Sequence, residues 1–302
     1  MTVKTGHIPA LLEEGLNDIY GQNLARYPDE WKSLFEEKST NKNSEVDQLV
    51  VDLGVMTVKS EGGGIDFDEF KQGYKYRYVM ISYALGVGFT EEAIDDNLYM
   101  SQLETAGQML AKSDKETRNI VAHNILNRAF NSSYTYADGK ELCATDHPFI
   151  YGGTWKNELT TAANFNEATA EQAIIDIGGW VDHRGKKVVA RPVSLHVPID
   201  LEFDCERFLN STLRPGTSEN DLNALKSLNK FPGGVHVHHY LTDSNAWFIK
   251  TDQIKGLKYF NRKKSKISSD NVFTSGDVQF KLTARYAFGA SDPHQIFGSP
   301  GA

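Results

Sequence analysis

The sequence predicts an α+β protein, and three features of its 302 residues lead to that prediction. Residues 90–130 contain no proline and a single glycine, Gly107, and are rich in strong helix formers, as expected of one long helix. Residues 46–60 and 74–83 have the composition of strands, and a glycine-rich break separates them. Later in the chain, a helix, a strand and a second helix are predicted between residues 166 and 209, and strands return up to residue 288.

The predicted long helix begins at Thr90, because a threonine hydroxyl can accept a hydrogen bond from the first helical turn. Glu91 and Glu92 follow at the positive end of the helix dipole. At about 1.5 Å per residue the helix would be roughly 60 Å long, which exceeds the width of a compact domain of this size. We therefore expect a rod with neighbours on more than one side. Its apolar or small residues recur at helical steps, at Tyr99, Leu103, Ala106, Leu110, Thr117, Val121 and Ile125.

The two early strands predict a long hairpin. Its tip is predicted at Glu61, Gly62, Gly63 and Gly64, where glycines interrupt the strand pattern. Residues 65–73 form an irregular return, and residues 74–83 alternate between tyrosine-rich and mixed positions. Because two strands cannot bury both of their faces, we expect the hairpin to lie against another surface.

Gly86 and Gly88 lie between the second strand and the helix, which is where a dinucleotide-binding glycine motif would be found. The third glycine of that motif is missing, and Glu91 and Glu92 would repel a pyrophosphate at the helix N-terminus. The sequence therefore favours a flexible joint between hairpin and helix, and we expect no cofactor.

Composition excludes several classes of function. The formal net charge of −8 argues against nucleic acid as an ordinary ligand, because phosphate binding requires a clustered positive surface. Cys143 and Cys205 are the only cysteines, so no disulfide framework is expected. The N-terminal residues lack the apolar core of a signal peptide, and the uncharged run Tyr78–Thr90, interrupted by glycines, is too short to cross a membrane. We expect a soluble intracellular protein.

Two groups of residues could carry enzyme chemistry. Cys143 and His147 could be a nucleophile and its base, but they are close in sequence and lack a nucleophile elbow, so a structural loop is favoured. His236 and His238 would share one face of a strand while His239 points away, and two ligands do not complete a zinc site. We therefore expect a polar outer strand face, no metal and no enzymatic site.

The remaining segments leave alternatives open. Tyr27, Trp31 and Phe35 are spaced four apart and predict an apolar helical face. That face belongs either to a helix packed on its own domain or to an arm that docks on a neighbouring subunit. Residues 213–234 predict a functional loop, and the basic run at 255–266 predicts a solvated strand edge that could also pair with acidic segments of a neighbouring copy.

The ordered set of segments resembles the major capsid proteins of tailed bacteriophages, whose fold was first seen in the Hong Kong phage head. Within that group it is similar to the Mu-like major head subunit family. The resemblance rests on FKQGYKYRYVMISYALGVGFTEEAIDDNLY, YADGKELCATDHPFIYGG, RGKKVVARPVSLHVP and LTDSNAWFIKTD.

The resemblance implies an α+β capsid fold with four parts. These are an N-terminal arm (1–47), an extended hairpin loop (48–89), a peripheral domain built on the long helix (90–164 and 242–302) and an axial domain (165–241). It also implies pentamers and hexamers that assemble into an icosahedral shell around double-stranded DNA, without sequence-specific binding. Glu61, Gly62, Gly63 and Gly64 would then act in assembly as the hairpin tip, and Gly86 and Gly88 as its hinge.

The partners implied are other copies of the chain, a separate scaffolding protein, a portal, and decoration or protease proteins, with no membrane. The location implied is the phage head, assembled in the host bacterial cytoplasm. An encapsulin-like compartment, which shares the fold, is the nearest alternative, and a metal- or cysteine-dependent enzyme is the alternative from another class.

Overall fold

The computed structural model describes residues 8–95, 99–211, 222–272 and 274–302. They form two compact units. The first contains Met1–Glu45, Val79–Ala122 and Tyr259–Phe288, and the second contains Val46–Tyr78, His123–Lys258 and Gly289–Ala302. No helix in the described ranges is long and apolar enough to cross a membrane.

Helices and strands alternate irregularly along the described residues. The helices are α1 (Ile8–Leu24), α2 (Glu91–Asp95), α3 (Tyr99–Asn127), α4 (Glu167–Gly179), α5 (Glu202–Asn210) and α6 (Ala224–Ser227). The strands are β1 (Glu36–Ser39), β2 (Ser44–Val51), β3 (Lys71–Val79), β4 (Ile81–Phe89), β5 (His147–Pro148), β6 (Thr154–Trp155), β7 (Pro192–Pro198), β8 (Val235–His238), β9 (Trp247–Thr251), β10 (Leu257–Asn271), β11 (Val278–Ala290) and β12 (Ile296–Ser299).

The first unit packs α1 and most of α3 on a four-stranded sheet of order β1-β10-β11-β4. Strands β11 and β4 are antiparallel, and alternate residues of β11 are buried, as expected where only one face of a sheet meets helices. Its core contains Leu16, Tyr20, Leu103, Ala106, Leu110, Ile267, Phe280 and Leu282.

The predicted long helix is present as α2 and α3, and residues 96–98 between them lie outside the described ranges. Thr90 Oγ1 accepts a hydrogen bond from the Ala93 amide at 3.4 Å, which agrees with the predicted N-cap. The predicted stripe is buried at Leu103, Ala106 and Leu110. In the last turns the buried positions are instead Ala122, His123 and Leu126, so there the stripe prediction was wrong.

Gly107 allows α1 to approach α3 closely. A Cβ at this position would lie 2.6 Å from Ile19 Cγ2 and 3.3 Å from Leu16 Cδ1. Contacts this short are not tolerated between carbon atoms, so the absence of a side chain sets the distance between the two helices.

The early aromatic residues pack within the first unit. Trp31 lies in a short 3-10 turn with its ring 4.5 Å from that of Tyr259, and Phe35 lies 5.1 Å from Phe288. Trp31 and Phe35 are buried without sharing an α-helix, so the predicted helical face was wrong in form. Their burial agrees with the first alternative, that this segment packs on its own domain.

The second unit is built on a sheet of order β12-β9-β7-β8, in which β7 and β8 are parallel and the other pairs are antiparallel. Helix α4 is capped by Asn166, whose side chain accepts a hydrogen bond from the Thr169 amide. The core contains Trp155, Ala173, Ile177, Leu195, Val197, Cys205, Trp247 and Phe297.

The predicted hairpin is shorter than expected. Strands β2 and β3 pair, but residues 52–70, all of them described, form neither helix nor strand. The predicted strand at 74–83 is divided at Met80, and its second part belongs to β4, which pairs with β11. The side-chain pattern of residues 74–83 alternates without interruption across Met80, because both strands have the same two-residue period. The sequence therefore does not indicate that the strand is divided there.

Candidate assembly surface

The connection between β2 and β3, residues 52–70, exposes large apolar side chains to solvent. Met56 and Val58 are 100% and 101% exposed, and Phe67 is 88% exposed. Burying one such side chain is worth about 1.5–3 kcal/mol, so a cluster of them is costly to leave in water. Several large apolar side chains exposed within one segment indicate a contact with another molecule. The full set is Leu53, Val55, Met56, Val58, Ile65, Phe67 and Phe70.

Hydrogen bonds hold Leu53 and Asp68, near the two ends of this connection, to the turn at residues 182–186. The Arg184 guanidinium donates to both Asp68 carboxylate oxygens, at 2.7 and 3.1 Å, and Lys186 Nζ donates to the Leu53 carbonyl at 2.7 Å. The Gly54 amide donates to Asp68 at 2.7 Å, and this hydrogen bond, with that of Arg184, lowers the pKa of the Asp68 carboxyl. Bidentate arginine–carboxylate pairs fix orientation as well as distance, so the connection leaves the unit in a defined direction.

Hydrogen bonds also join the two halves of the connection, before and after its turn. Thr57 Oγ1 donates to Asp66 at 2.7 Å, and the Gly63 amide donates to the Ser60 carbonyl at 3.0 Å. Gly62 has φ +76°, which lies in the left-handed region that favours glycine. The predicted tip therefore lies at and beside the turn of the connection. It comprises Glu61, Gly62, Gly63 and Gly64.

The predicted hinge has a different setting. Gly86 and Gly88 lie inside β4 and pair with Lys281 and Gln279 of β11. Both glycines are therefore part of an antiparallel ladder rather than of a loop. Their role as a hinge stays a prediction.

Cys143 and His147 are both completely buried. Burial raises the pKa of the Cys143 thiol well above its usual value, which disfavours the nucleophilic thiolate. The His147 ring is hydrogen-bonded on both sides, by Nδ1 to Asp138 at 2.6 Å and by Nε2 to Asn157 at 2.9 Å. These contacts agree with the structural loop favoured by the sequence.

Asn157, which the sequence did not single out, organises this loop. Its side-chain Nδ2 lies 2.8, 3.1 and 3.1 Å from the carbonyl oxygens of Leu142, Pro293 and Ile296, and its two hydrogens are shared among them. Its Oδ1 accepts from the Ala144 amide at 2.9 Å and lies 2.9 Å from His147 Nε2. A buried asparagine that bonds segments so distant in sequence leaves no local pattern from which it could be found.

The prediction of a polar outer strand face was wrong for His238, which is 1% exposed. Its Nδ1 lies 2.8 Å from His123 Nε2, and its Nε2 lies 2.8 Å from His196 Nδ1. His196 Nε2 is in turn 2.9 Å from Ser194 Oγ, so three imidazoles form a buried hydrogen-bonded chain. Burial, with His123 as the next cause, lowers the pKa of His238 to about 3.

The basic run was predicted as a solvated strand edge, which was also wrong. It forms part of β10, which lies between β1 and β11 inside its sheet. Lys258 is 4% exposed and pairs with Asp47, whereas Lys263 and Lys264 are exposed. The charge pattern alone could not distinguish a central strand with one solvated face from an edge strand.

Comparisons with known proteins identify the family. The family described as phage capsid protein matches residues 74–297. A virus-like particle from Pyrococcus furiosus is 13% identical, with a TM-score of 0.52, over 95% of this chain and 98% of that chain. The procapsid of bacteriophage JBD30 is 13% identical, with a TM-score of 0.52, over 98% of this chain and 76% of that chain. A search of the curated proteins found no match.

A chain of Mycobacterium phage Adephagia is 11% identical, with a TM-score of 0.51, over 91% of this chain and 90% of that chain. At such identities the likeness shows the fold alone, and it confirms the predicted α+β fold of the Hong Kong phage type. The family match covers most of the chain. The chain therefore belongs to the phage capsid protein family and has the fold of the tailed-phage major capsid proteins.

Proposed function

We propose that this capsid protein assembles as pentamers and hexamers into an icosahedral shell that encloses double-stranded phage DNA. The observation that carries the proposal is the exposed apolar connection at residues 52–70, held in place by the Arg184–Asp68 pair. A folded domain does not gain stability from Met56 or Val58 in water, but a subunit gains it when a neighbour covers them. Closed symmetric assemblies give every copy such a neighbour.

We further propose that Glu61, Gly62, Gly63 and Gly64 touch the neighbouring subunit and that Gly86 and Gly88 set the angle of the hairpin loop. The division into arm (1–47), hairpin loop (48–89), peripheral domain (90–164 and 242–302) and axial domain (165–241) belongs to the same proposal. So does an N-terminal arm that docks on a neighbouring subunit, of which residues 1–7 lie outside the described ranges.

Charge supports the role of a container. The net charge of −8 reduces attraction between the chain and packaged DNA, so the DNA would be enclosed without sequence-specific binding. The proposal includes a separate scaffolding protein, a portal, and decoration or protease proteins as partners, and assembly in the host cytoplasm. It includes no cofactor, metal or enzymatic site.

Electron microscopy of the purified protein tests the proposal. Closed shells of uniform diameter are expected, alone or with a scaffolding protein added. A protein that stays monomeric by light scattering under all assembly conditions would contradict it. Deleting Gly62–Gly64 should leave a folded subunit that assembles poorly, and normal shells from that deletion would remove the proposed role of the tip.

An encapsulin-like compartment is the second candidate, because it shares the fold and would use the same exposed connection. The two candidates differ in what the shell contains. Double-stranded DNA in shells isolated from the producing cell supports the phage head, whereas a packaged enzyme supports the compartment.

A further inference from the structure

A small cavity with several polar side chains in its lining lies within the second unit, beside β2 and β3. Its volume is about 20 Å³, which is enough for one water molecule. Strand β3 contributes Tyr74, the loop after α3 contributes Asp138, and the turn before β7 contributes His183. Asp292 and His294 line it from the C-terminal segment. The cavity is separate from the exposed connection described above.

The two ring nitrogens of His294, which lines this cavity, differ in their hydrogen bonding. Its Nδ1 lies 2.9 Å from Asp292 Oδ1, and because a carboxylate only accepts, Nδ1 carries the proton. Nε2 is buried and has no hydrogen-bond partner among the described residues. Buried polar atoms nearly always have a partner, so this nitrogen requires a donor.

The His294 ring cannot turn to find that donor elsewhere. It stacks on Trp155, with ring centroids 3.8 Å apart and planes 10° apart. Trp180 meets it edge-on, with centroids 5.6 Å apart. The two indoles and the Asp292 bond therefore hold the ring in one orientation.

The other side chains around the cavity offer complementary groups. His183 Nδ1 accepts from the Ile150 amide at 3.4 Å, and burial lowers the pKa of His183, so the neutral ring carries its proton on Nε2. Asp138 and Asp292 supply carboxylate oxygens. One donor, one unpaired acceptor and two carboxylates are a set that a water molecule can satisfy, since it accepts and donates two hydrogen bonds.

We propose that one buried water molecule occupies this cavity, donates to His294 Nε2 and to a carboxylate, and accepts from His183. The water would join the turn before β7, which carries His183, to the C-terminal segment, which carries His294. This inference goes beyond the proposed function and holds whether or not the chain forms shells.

A density map of the protein at about 2 Å resolution or better tests the proposal. A single peak is expected at about 2.7–3.2 Å from His294 Nε2, the range of a hydrogen bond. Absence of a peak in the well-ordered cavity would overturn it. A peak at about 2.0–2.2 Å would also overturn it, because that distance indicates a coordinated metal ion.

The same map of His294→Phe provides the matched control. Phenylalanine keeps a ring between Trp155 and Trp180 but removes the acceptor, so the peak should be lost. A peak of unchanged position and strength would show that His294 does not hold the water. If this variant fails to fold, His183→Phe removes the donor instead, and the peak should again be lost.

Discussion

The connection at residues 52–70 and the interior of the second unit have opposite surfaces. The connection exposes Met56 and Val58 completely, whereas the interior buries the imidazoles of His147, His196 and His238. Apolar groups in water and polar groups in the core are each unfavourable for a monomer taken alone. The exposed apolar side chains of the connection can be covered only by another molecule, whereas each of these three imidazoles has a hydrogen-bond partner inside its own unit.

This difference separates assembly from folding. The buried polar groups join segments distant in sequence, so their substitution should lower the free energy of unfolding of the subunit. The exposed apolar groups contact little within their own unit, so their substitution should change assembly and leave the fold intact.

The largest expected effect on folding is that of Asn157→Ala. It would remove the side-chain partner of the Leu142 and Ile296 carbonyls, the Ala144 amide and His147 Nε2, whereas the Pro293 carbonyl keeps the Ile296 amide, and we expect the free energy of unfolding to fall by about 4 kcal/mol. Urea unfolding of the subunit measures this change. The exposed Asn210→Ala, which loses a surface bond to Glu206, is the control and should change stability by less than about 0.5 kcal/mol.

A fall in pH should lower the free energy of unfolding through the same buried groups. Because burial lowers the pKa of His238 to about 3, the folded state keeps the ring neutral while the unfolded chain gains a proton below its ordinary value of 6.5. Stability from this group is complete above pH 6.5 and should fall by about 2 kcal/mol between pH 6.5 and pH 5. The difference between the pH profiles of wild type and His238→Gln measures this loss. Parallel profiles would show that His238 does not contribute to it.

The first unit shows how an apolar interior responds to added volume. Gly107→Ala places a methyl group 2.6 Å from Ile19 Cγ2, and overpacking should outweigh the better helix propensity, for a net loss of about 1 kcal/mol. Gly178→Ala in α4 is the matched control, because a Cβ there meets nothing within 4 Å and should stabilise the protein. Thermal unfolding of both variants measures the contrast. A stabilised Gly107→Ala would mean that α1 does not pack closely on α3.

Glu158 is half-buried and should give the smallest effect on folding. Burial, and then Glu141, raises the pKa of its carboxyl to about 7, so the folded state favours the neutral form. Stability from this group is complete below about pH 4.5 and is lost as the pH rises toward 7. After allowance for solvent screening, Glu158→Gln should gain about 1 kcal/mol at pH 8 and nothing at pH 4. Equal gains at both pH values would contradict this account, and the exposed Glu202→Gln is the control.

The features that the sequence predicted correctly are local. The Thr90 cap, the buried first half of the α3 stripe and the turn beside Gly62 each follow from residues within a few positions of one another. The failures concern partners distant in sequence. His238 meets His123 across 115 positions, and β10 is central only because β1 and β11 flank it. A single sequence contains periodicity and turn chemistry, but it does not state which surfaces meet.

The central claim is that the connection at 52–70 serves assembly and not folding. Electron microscopy of a variant carrying Met56→Ser, Val58→Ser and Phe67→Ser, under conditions in which wild type forms shells, tests it most directly. The control carries Lys59→Ser and Ser60→Ala, exposed changes in the same segment that remove no large apolar side chain of the cluster. We predict that the apolar variant unfolds within about 0.5 kcal/mol of wild type yet forms no closed shells, while the control forms them. Closed shells from the apolar variant in wild-type yield would contradict the claim.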